Sequence, residues 1–271
     1  MNRLLELFRT PLPHLTAGKA LLLRMLMFPN LFLIRVEGAS HLEAVGGKPC
    51  IFAFNHNNAF ESLFVPVLLF YLRGGRTVSF VIDWMFGRLP VIGWMMNLID
   101  PVYVHHKRST MPFLERARLR EASSASRGEC IGRLASGKSI GIFPEGTRNP
   151  DPFTLLKAKP GIGYIALESG VPVLPVGIEF ITKRQRERVP SIGRIVVRFG
   201  RPMEFEEQHE LYASLPTEGQ RSRKSELARE VAEQVMLSIS VLCGKVYPHG
   251  GREESESITT DNQTMEALCP S

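Results

Sequence analysis

Cysteine is scarce in this chain, and its four copies (Cys50, Cys130, Cys243 and Cys269) show no CxxC spacing, so neither a structural zinc site nor a dithiol redox motif is expected. Cys50 opens an apolar run, where a buried free thiol is the simplest reading, and a reducing compartment fits. Gly137-Lys-Ser139-Ile-Gly141 spells Gly-x-Ser-x-Gly, but a helix pattern precedes its serine and a strand pattern follows it, the reverse of a nucleophile elbow, which disfavours a serine hydrolase or thioesterase. Long apolar runs are missing too: the stretch 20–36 is interrupted by Arg24, Pro29 and Arg35, and 63–72 is too short to span a bilayer. Lys19 and Arg24 also spoil a signal-peptide reading of the amino terminus. Cys269-Pro-Ser271 is one residue short of a prenylation box. The expectation is a chain at the cytoplasmic face of a membrane, in peripheral contact with it. His105 and His106 have no Asp, Glu or Cys at ligand spacing, so no metal is expected.

What is present bounds the rest. A 271-residue chain with 44% hydrophobic content can bury one substantial core. The net charge of +6 and a pI near 9.3 suit an anionic partner: a membrane surface, a phosphorylated donor or an acidic carrier protein. Nucleic acid would satisfy the same charge. No RNP-like aromatic motif, zinc-finger spacing or helix-turn-helix signature supports it, so none is expected as a partner.

Read for periodicity, the chain alternates strand and helix patterns without an internal repeat. Residues 1–28 form an amphipathic helical opening, with Phe8, Leu21, Leu22 and Met25 at helical spacing between Arg9, Lys19 and Arg24. Such a segment can lie on a membrane or pack on the core. Strands are expected at 31–36, 50–54, 77–82, 101–104, 139–143, 171–180 and 192–199, and helices at 61–72, 111–136, 161–169 and 225–242. This order predicts an α/β fold, a single layered domain with a mixed, largely parallel sheet flanked by helices. The domain would occupy 31–247, after a helical segment at 1–30 and before a Gly-, Ser-, Glu- and Thr-rich tail at 248–271 whose composition suits disorder.

Two short polar clusters follow apolar runs. In Asn55-His-Asn-Asn-Ala-Phe-Glu61 a histidine precedes a carboxylate by five positions, which on one helix would turn them about 140° apart. They can meet if His56 lies in the turn after a strand and Glu61 in the first turn of the next helix, with Asn57 or Asn58 as the N-cap. A carboxylate bonded to one imidazole nitrogen fixes the tautomer and leaves the other nitrogen free to take a proton from a hydroxyl. That is the base half of a triad, its nucleophile coming from the substrate. The plainer alternative is that the asparagines cap a helix whose N-terminus Glu61 favours.

The second cluster is Phe143-Pro-Glu-Gly-Thr-Arg148. Pro144 ends the strand, Gly146 permits a positive φ, and backbone N–H groups in such a turn can face an anion. Arg148 offers paired donors matched to phosphate. Glu145 could bind a substrate hydroxyl or hold Arg148. An ordinary strand-to-loop turn is the alternative.

These two motifs, with Val171-Pro-Val-Leu-Pro-Val-Gly177 and Gly200-Arg-Pro-Met-Glu-Phe205 following in order, resemble the glycerophospholipid acyltransferase family typified by 1-acylglycerol-3-phosphate acyltransferase, over about 31–205. The resemblance implies the glycerolipid acyltransferase fold and transfer of a fatty acyl group from a coenzyme A or acyl-carrier-protein thioester to a lysophospholipid hydroxyl in phospholipid biosynthesis. It implies no metal and no cofactor beyond that donor substrate. By the same analogy His56 is the general base and Glu61 its orienting carboxylate. Glu145, Gly146, Thr147 and Arg148 bind the acceptor, Lys159 adds positive charge, and Pro172 and Pro175 shape the cleft wall.

Two positions depart from the family pattern. Aspartate normally stands where this chain has Glu61. An arginine expected after a short strand is replaced by Val104 in Asp100-Pro-Val-Tyr-Val-His-His-Lys-Arg108. Lys107 or Arg108 could take over that phosphate contact. Otherwise the acceptor is a non-phosphorylated lyso-lipid, or the chain is a lapsed, lipid-binding relative. The apolar segment containing Trp84 and Phe86 could line an acyl-chain tunnel or pack in the core. The basic run Lys183-Arg-Gln-Arg-Glu-Arg188 is a solvated loop or a landing site for anionic headgroups.

Overall fold

The computed structural model describes residues 7–83, 101–104, 124–181, 188–216 and 220–249. Seven strands, β1 (Ile34–Glu37), β2 (Ile51–Phe54), β3 (Val78–Asp83), β4 (Val102–Val104), β5 (Ser139–Ile142), β6 (Val173–Phe180) and β7 (Ile195–Phe199), form one sheet in the order β1-β7-β6-β2-β5-β3-β4. The five from β6 to β4 are mutually parallel. β7 runs against β6, and β1 follows β7. This is the mixed, largely parallel sheet that the alternation predicts.

The central strands read as short apolar runs because both faces are covered. Side chains alternate across the pleat: Phe52 and Phe54 of β2 enter one core, Ile51 and Ala53 the other. The first core is covered by α1 (Ala17–Met27), α2 (Asn30–Leu33), α3 (Ala39–Val45) and α4 (Ala59–Leu72). The second lies under α5 (Ser124–Ala135), α6 (Gly161–Ser169), α7 (Glu206–Ser214) and α8 (Arg221–Cys243). α6 and α8 approach so closely at Gly163 that a methyl group there would overlap the Ala228 carbonyl. Cys50, Cys130 and Cys243 are buried free thiols.

Some elements differ from their sequence pattern. Residues 31–33, expected as the start of a strand, belong to the short α2. Pro29 favours a helical start, and the Asn30 amide anchors the turn on the Phe64 carbonyl at 3.1 Å. α3 and α7 escaped the periodicity reading: α3 has seven residues, and α7 buries only Tyr212. Of the expected helix at 111–136 the described residues include Ser124–Ala135. Phe8, Leu21, Met25, Phe28 and Phe32 stay exposed while Leu7, Ala20, Leu23 and Met27 enter the first core. No helix among the described residues is long and apolar enough to cross a membrane.

The connections locate the crevice. From β2 the chain crosses through α4 to β3, on one side; from neighbouring β5 it crosses through α6 to β6, on the other side and the other face. The two connections pass over each other's starting strand on opposite faces, and in open α/β sheets ligands bind outside the carboxyl ends of the strands. The two polar clusters emerge there, one after β2 and one after β5.

Candidate active site

β2 ends at Phe54, and Asn55 replaces the next rung of the ladder with its side chain. Its Oδ1 accepts the Ile178 N–H at 2.7 Å and its Nδ2 donates to the Ile178 carbonyl at 2.9 Å. The chain then turns, Asn58 caps α4 by accepting the Phe60 N–H at 2.8 Å, and Glu61 completes the capping box. The helix starts at Ala59, two residues before the expected boundary, so Glu61 sits at N3 in its first turn.

Glu61 is fully buried. Its Oε1 receives His56 Nδ1 at 2.9 Å, the Asn57 N–H, and the Asn58 N–H at 3.3 Å; Oε2 receives Asn57 Nδ2 at 3.0 Å. The cap and the catalytic reading are therefore one arrangement. The carboxylate that closes the helix also takes the Nδ1 proton and leaves Nε2 as the acceptor. The His56 ring lies on Phe143, 4.3 Å between centroids, with 16% of its side chain exposed. Among the described residues, no hydroxyl or thiol hydrogen-bonds the ring.

After β5, Pro144 and Gly146 turn the chain, Gly146 at φ +68°. The Lys159 N–H donates to the Pro144 carbonyl at 2.8 Å, and the lysine stem covers Gly146, where a Cβ would stand 3.1 Å from Cγ. Gly146, Thr147, Arg148 and Lys159 are exposed at this turn. Glu145 points inward instead. Its Oε1 accepts the His56 N–H at 2.9 Å, and Oε2 accepts the Leu156 N–H at 3.0 Å and Asn149 Nδ2 at 3.1 Å. Its burial pushes the carboxyl above its ordinary range, against those three bonds and the nearby Lys245 ammonium. With both oxygens engaged, Glu145 positions the His56 peptide.

The prolines depart from expectation. Pro172 precedes β6 and gives its carbonyl to the Ile51 N–H at 3.0 Å, which places it at the amino edge of the sheet, opposite the cleft. Pro175 is buried in mid-strand beside Ala53, its carbonyl on the Gly200 N–H at 2.8 Å. Neither lines the cleft, because parallel register carries residues 172–175 alongside 50–53 rather than alongside His56. Trp84, Phe86, Lys107 and Arg108 lie outside the described residues.

Three residues join the site without a sequence signal that marks them. The Asn149 N–H donates to the His56 carbonyl at 2.7 Å. Asn57 bridges Glu61 to Lys245, and Lys245 itself is buried, with Nζ 2.5 Å from Asn57 Oδ1 and 2.6 Å from the Asp151 carbonyl. Asn57 was read only as a cap, and Lys245 follows the last helix like any surface lysine. Among the described residues no three His, Cys, Asp or Glu side chains are grouped to hold a metal ion.

A protein-family model described as Acyltransferase matches residues 33–179, more than half of the 271. The chain belongs to this acyltransferase family. The match contains His56, Glu61 and the 143–148 turn, and ends before β7, α8 and Lys245. The chain is similar to the chloroplastic 1-acyl-sn-glycerol-3-phosphate acyltransferase BAT2 of Brassica napus, 29% identical over 147 residues (52% of this chain, 36% of that one). It is similar also to that acyltransferase of Pseudomonas aeruginosa, 27% over 135 residues (50% and 46%), and to the alpha form of Mus musculus, 27% over 197 residues (69% and 61%). The aligned part is less than two thirds of each of these relatives. The crystal structure of the 1-acyl-sn-glycerophosphate acyltransferase PlsC from Thermotoga maritima superposes with a TM-score of 0.48 at 23% identity, covering 86% of this chain and 87% of that one.

Proposed function

We propose that the chain transfers a fatty acyl group from a coenzyme A or acyl-carrier-protein thioester to the free hydroxyl of a 1-acylglycerol-3-phosphate-type lysophospholipid. One observation carries the reading: the His56–Glu61 pair is tied through the His56 peptide to the turn that carries Arg148. Nε2 of His56 takes the proton of the acceptor hydroxyl while Glu61 stabilises the imidazolium. The oxygen bonds to the thioester carbonyl carbon, the tetrahedral intermediate collapses by breaking the carbon–sulfur bond, and His56 returns the proton to the leaving thiolate. Arg148 and Lys159 supply positive charge for the acceptor phosphate.

The reaction as written needs neither metal nor further cofactor. The exposed apolar side chains of Phe8, Leu21, Met25, Phe28 and Phe32, with Lys19 among them, support peripheral seating on a membrane, where acceptor and product reside. The Glu61 carboxylate reaches Nδ1 at 2.9 Å, which favours a working enzyme over a lapsed one. Val104 in place of an arginine favours, as a second reading, an acceptor without phosphate.

Purified protein is assayed for thiol release from acyl-CoA and acyl carrier protein with lysophosphatidic acid, and the lipid product is weighed by mass spectrometry. Product heavier by one acyl group is expected, lost by about a factor of 10² to 10⁴ in kcat in His56→Ala with the fold intact. Undiminished turnover in His56→Ala, or transfer to no lyso-lipid at all, overturns the proposal.

A further inference from the structure

We propose that Lys245, outside the family match, is a positioning residue of this site: its ammonium locks the Asn57 amide onto Glu61 and balances the charge around the His56–Glu61 pair. The inference rests on the acyl-transfer reading above for its kinetic consequence, but not for its structural one.

Lysine has only donors. Nζ therefore requires oxygens, and it takes Asn57 Oδ1 at 2.5 Å and the Asp151 carbonyl at 2.6 Å. With Oδ1 held there, Asn57 Nδ2 must face Glu61 Oε2 at 3.0 Å and the Ile178 carbonyl at 3.2 Å. A flipped amide would set NH₂ against the ammonium and a carbonyl against the carboxylate, repelling at both ends. Lys245 thus settles which way Asn57 points, Asn57 helps settle the Glu61 rotamer, and Glu61 holds the base.

Charge gives a second link. Lys245 is buried, and burial pulls its ammonium below the ordinary lysine range. Facing it are Glu61 from α4, Glu145 and Asp151 from the segment after β5, and Cys243 from the end of α8. Two of these carboxylates, Glu61 and Glu145, are themselves buried and bonded to His56, one at the ring and one at the peptide. Without the ammonium these two buried carboxylates would lose their nearest compensating charge, and Glu61 would lose the neighbour that fixes its Asn57 partner. A lysine that merely pinned the last segment to the Asp151 carbonyl would have no such effect.

The test is Lys245→Met, with Lys245→Gln as the variant that keeps a donor for Asn57 and removes the charge. In Lys245→Met, the Asn57 side-chain amide and His56 Nδ1–H proton resonances should shift or broaden as the amide loses its fixed orientation, with smaller changes in Lys245→Gln. In Lys245→Met, kcat should fall about 10- to 100-fold with KM for donor and acceptor changed by less than about twofold. Asn57 and His56 resonances unchanged in folded variants overturn the proposal, as does failure of both variants to fold, which would make Lys245 a fold determinant only. The resonances are read without substrate, so a wild-type protein that transfers no acyl group sinks the functional reading while this coupling is still decided.

Discussion

The His56 backbone N–H donates to Glu145 Oε1 at 2.9 Å, joining the loop after β2 to the turn after β5. The Asn149 N–H returns to the His56 carbonyl at 2.7 Å, so both ends of that residue are held by one segment. His56 is thereby fixed at its main chain by the second motif and at its ring by Glu61.

Glu145→Gln tests this clamp. An amide cannot accept at both positions, so one of the donors from His56, Asn149 or Leu156 faces an NH₂, and a loss of about 1–3 kcal/mol is expected in urea unfolding. The pH dependence follows from burial, which raises the folded-state value above its ordinary 4.5. The folded chain then binds that proton more readily than the unfolded one. The associated stability is full below that ordinary value and is lost as pH rises through the folded-state value. The wild-type advantage over Glu145→Gln should therefore shrink across a window that opens near pH 4.5. An advantage that grows across that window contradicts the assignment.

Glu61→Asp restores the residue usual in the family, yet here it should harm. The glutamate reaches Nδ1 and caps α4 from N3, and removing a methylene withdraws the carboxylate by about 1.5 Å. We expect kcat to drop about tenfold or more and stability by about 1–2 kcal/mol. Equal or higher turnover would mean that the helix shifts to follow the shorter side chain.

Arg148→Ala separates the two acceptor readings. Its guanidinium is exposed at the turn, and fork geometry suits a phosphate. With lysophosphatidic acid, kcat/KM should fall about 10- to 100-fold, mostly through KM, while a non-phosphorylated lyso-lipid is used as before. Equal losses on both acceptors would remove the phosphate contact.

Gly163→Ala probes packing far from the chemistry. The added methyl meets the Ala228 carbonyl, a backbone atom that cannot rotate away, so α6 and α8 must separate. A loss of at least about 1–3 kcal/mol is expected, read as a lower Tm. Unchanged Tm would show that the helix pair has slack.

Much of the site was legible in the chain because its parts are local. His56 and Glu61 are five residues apart, so a strand end, an asparagine cap and one helical turn suffice to bring them together. The Phe143–Arg148 turn is likewise local: proline stops β5 and Gly146 takes the positive φ that its lack of a Cβ allows. Alternation of apolar runs announced the parallel sheet, since strands buried on both faces read as unbroken hydrophobic stretches.

What the amino-acid order settled by itself was the chemistry on offer: a histidine with a carboxylate within one turn, and an arginine beyond a glycine. Which groups meet, and which face solvent, was left to long-range register. Glu145 and His56 are 89 residues apart, and Asn57 and Lys245 are 188 apart. Nothing local distinguishes an inward glutamate from an outward one, or a buried lysine from a solvated one; only the packed neighbours that exclude water decide it. The same register carried Pro172 to the far edge of the sheet, because parallel pairing aligns residues by strand position and not by the motif that contains them.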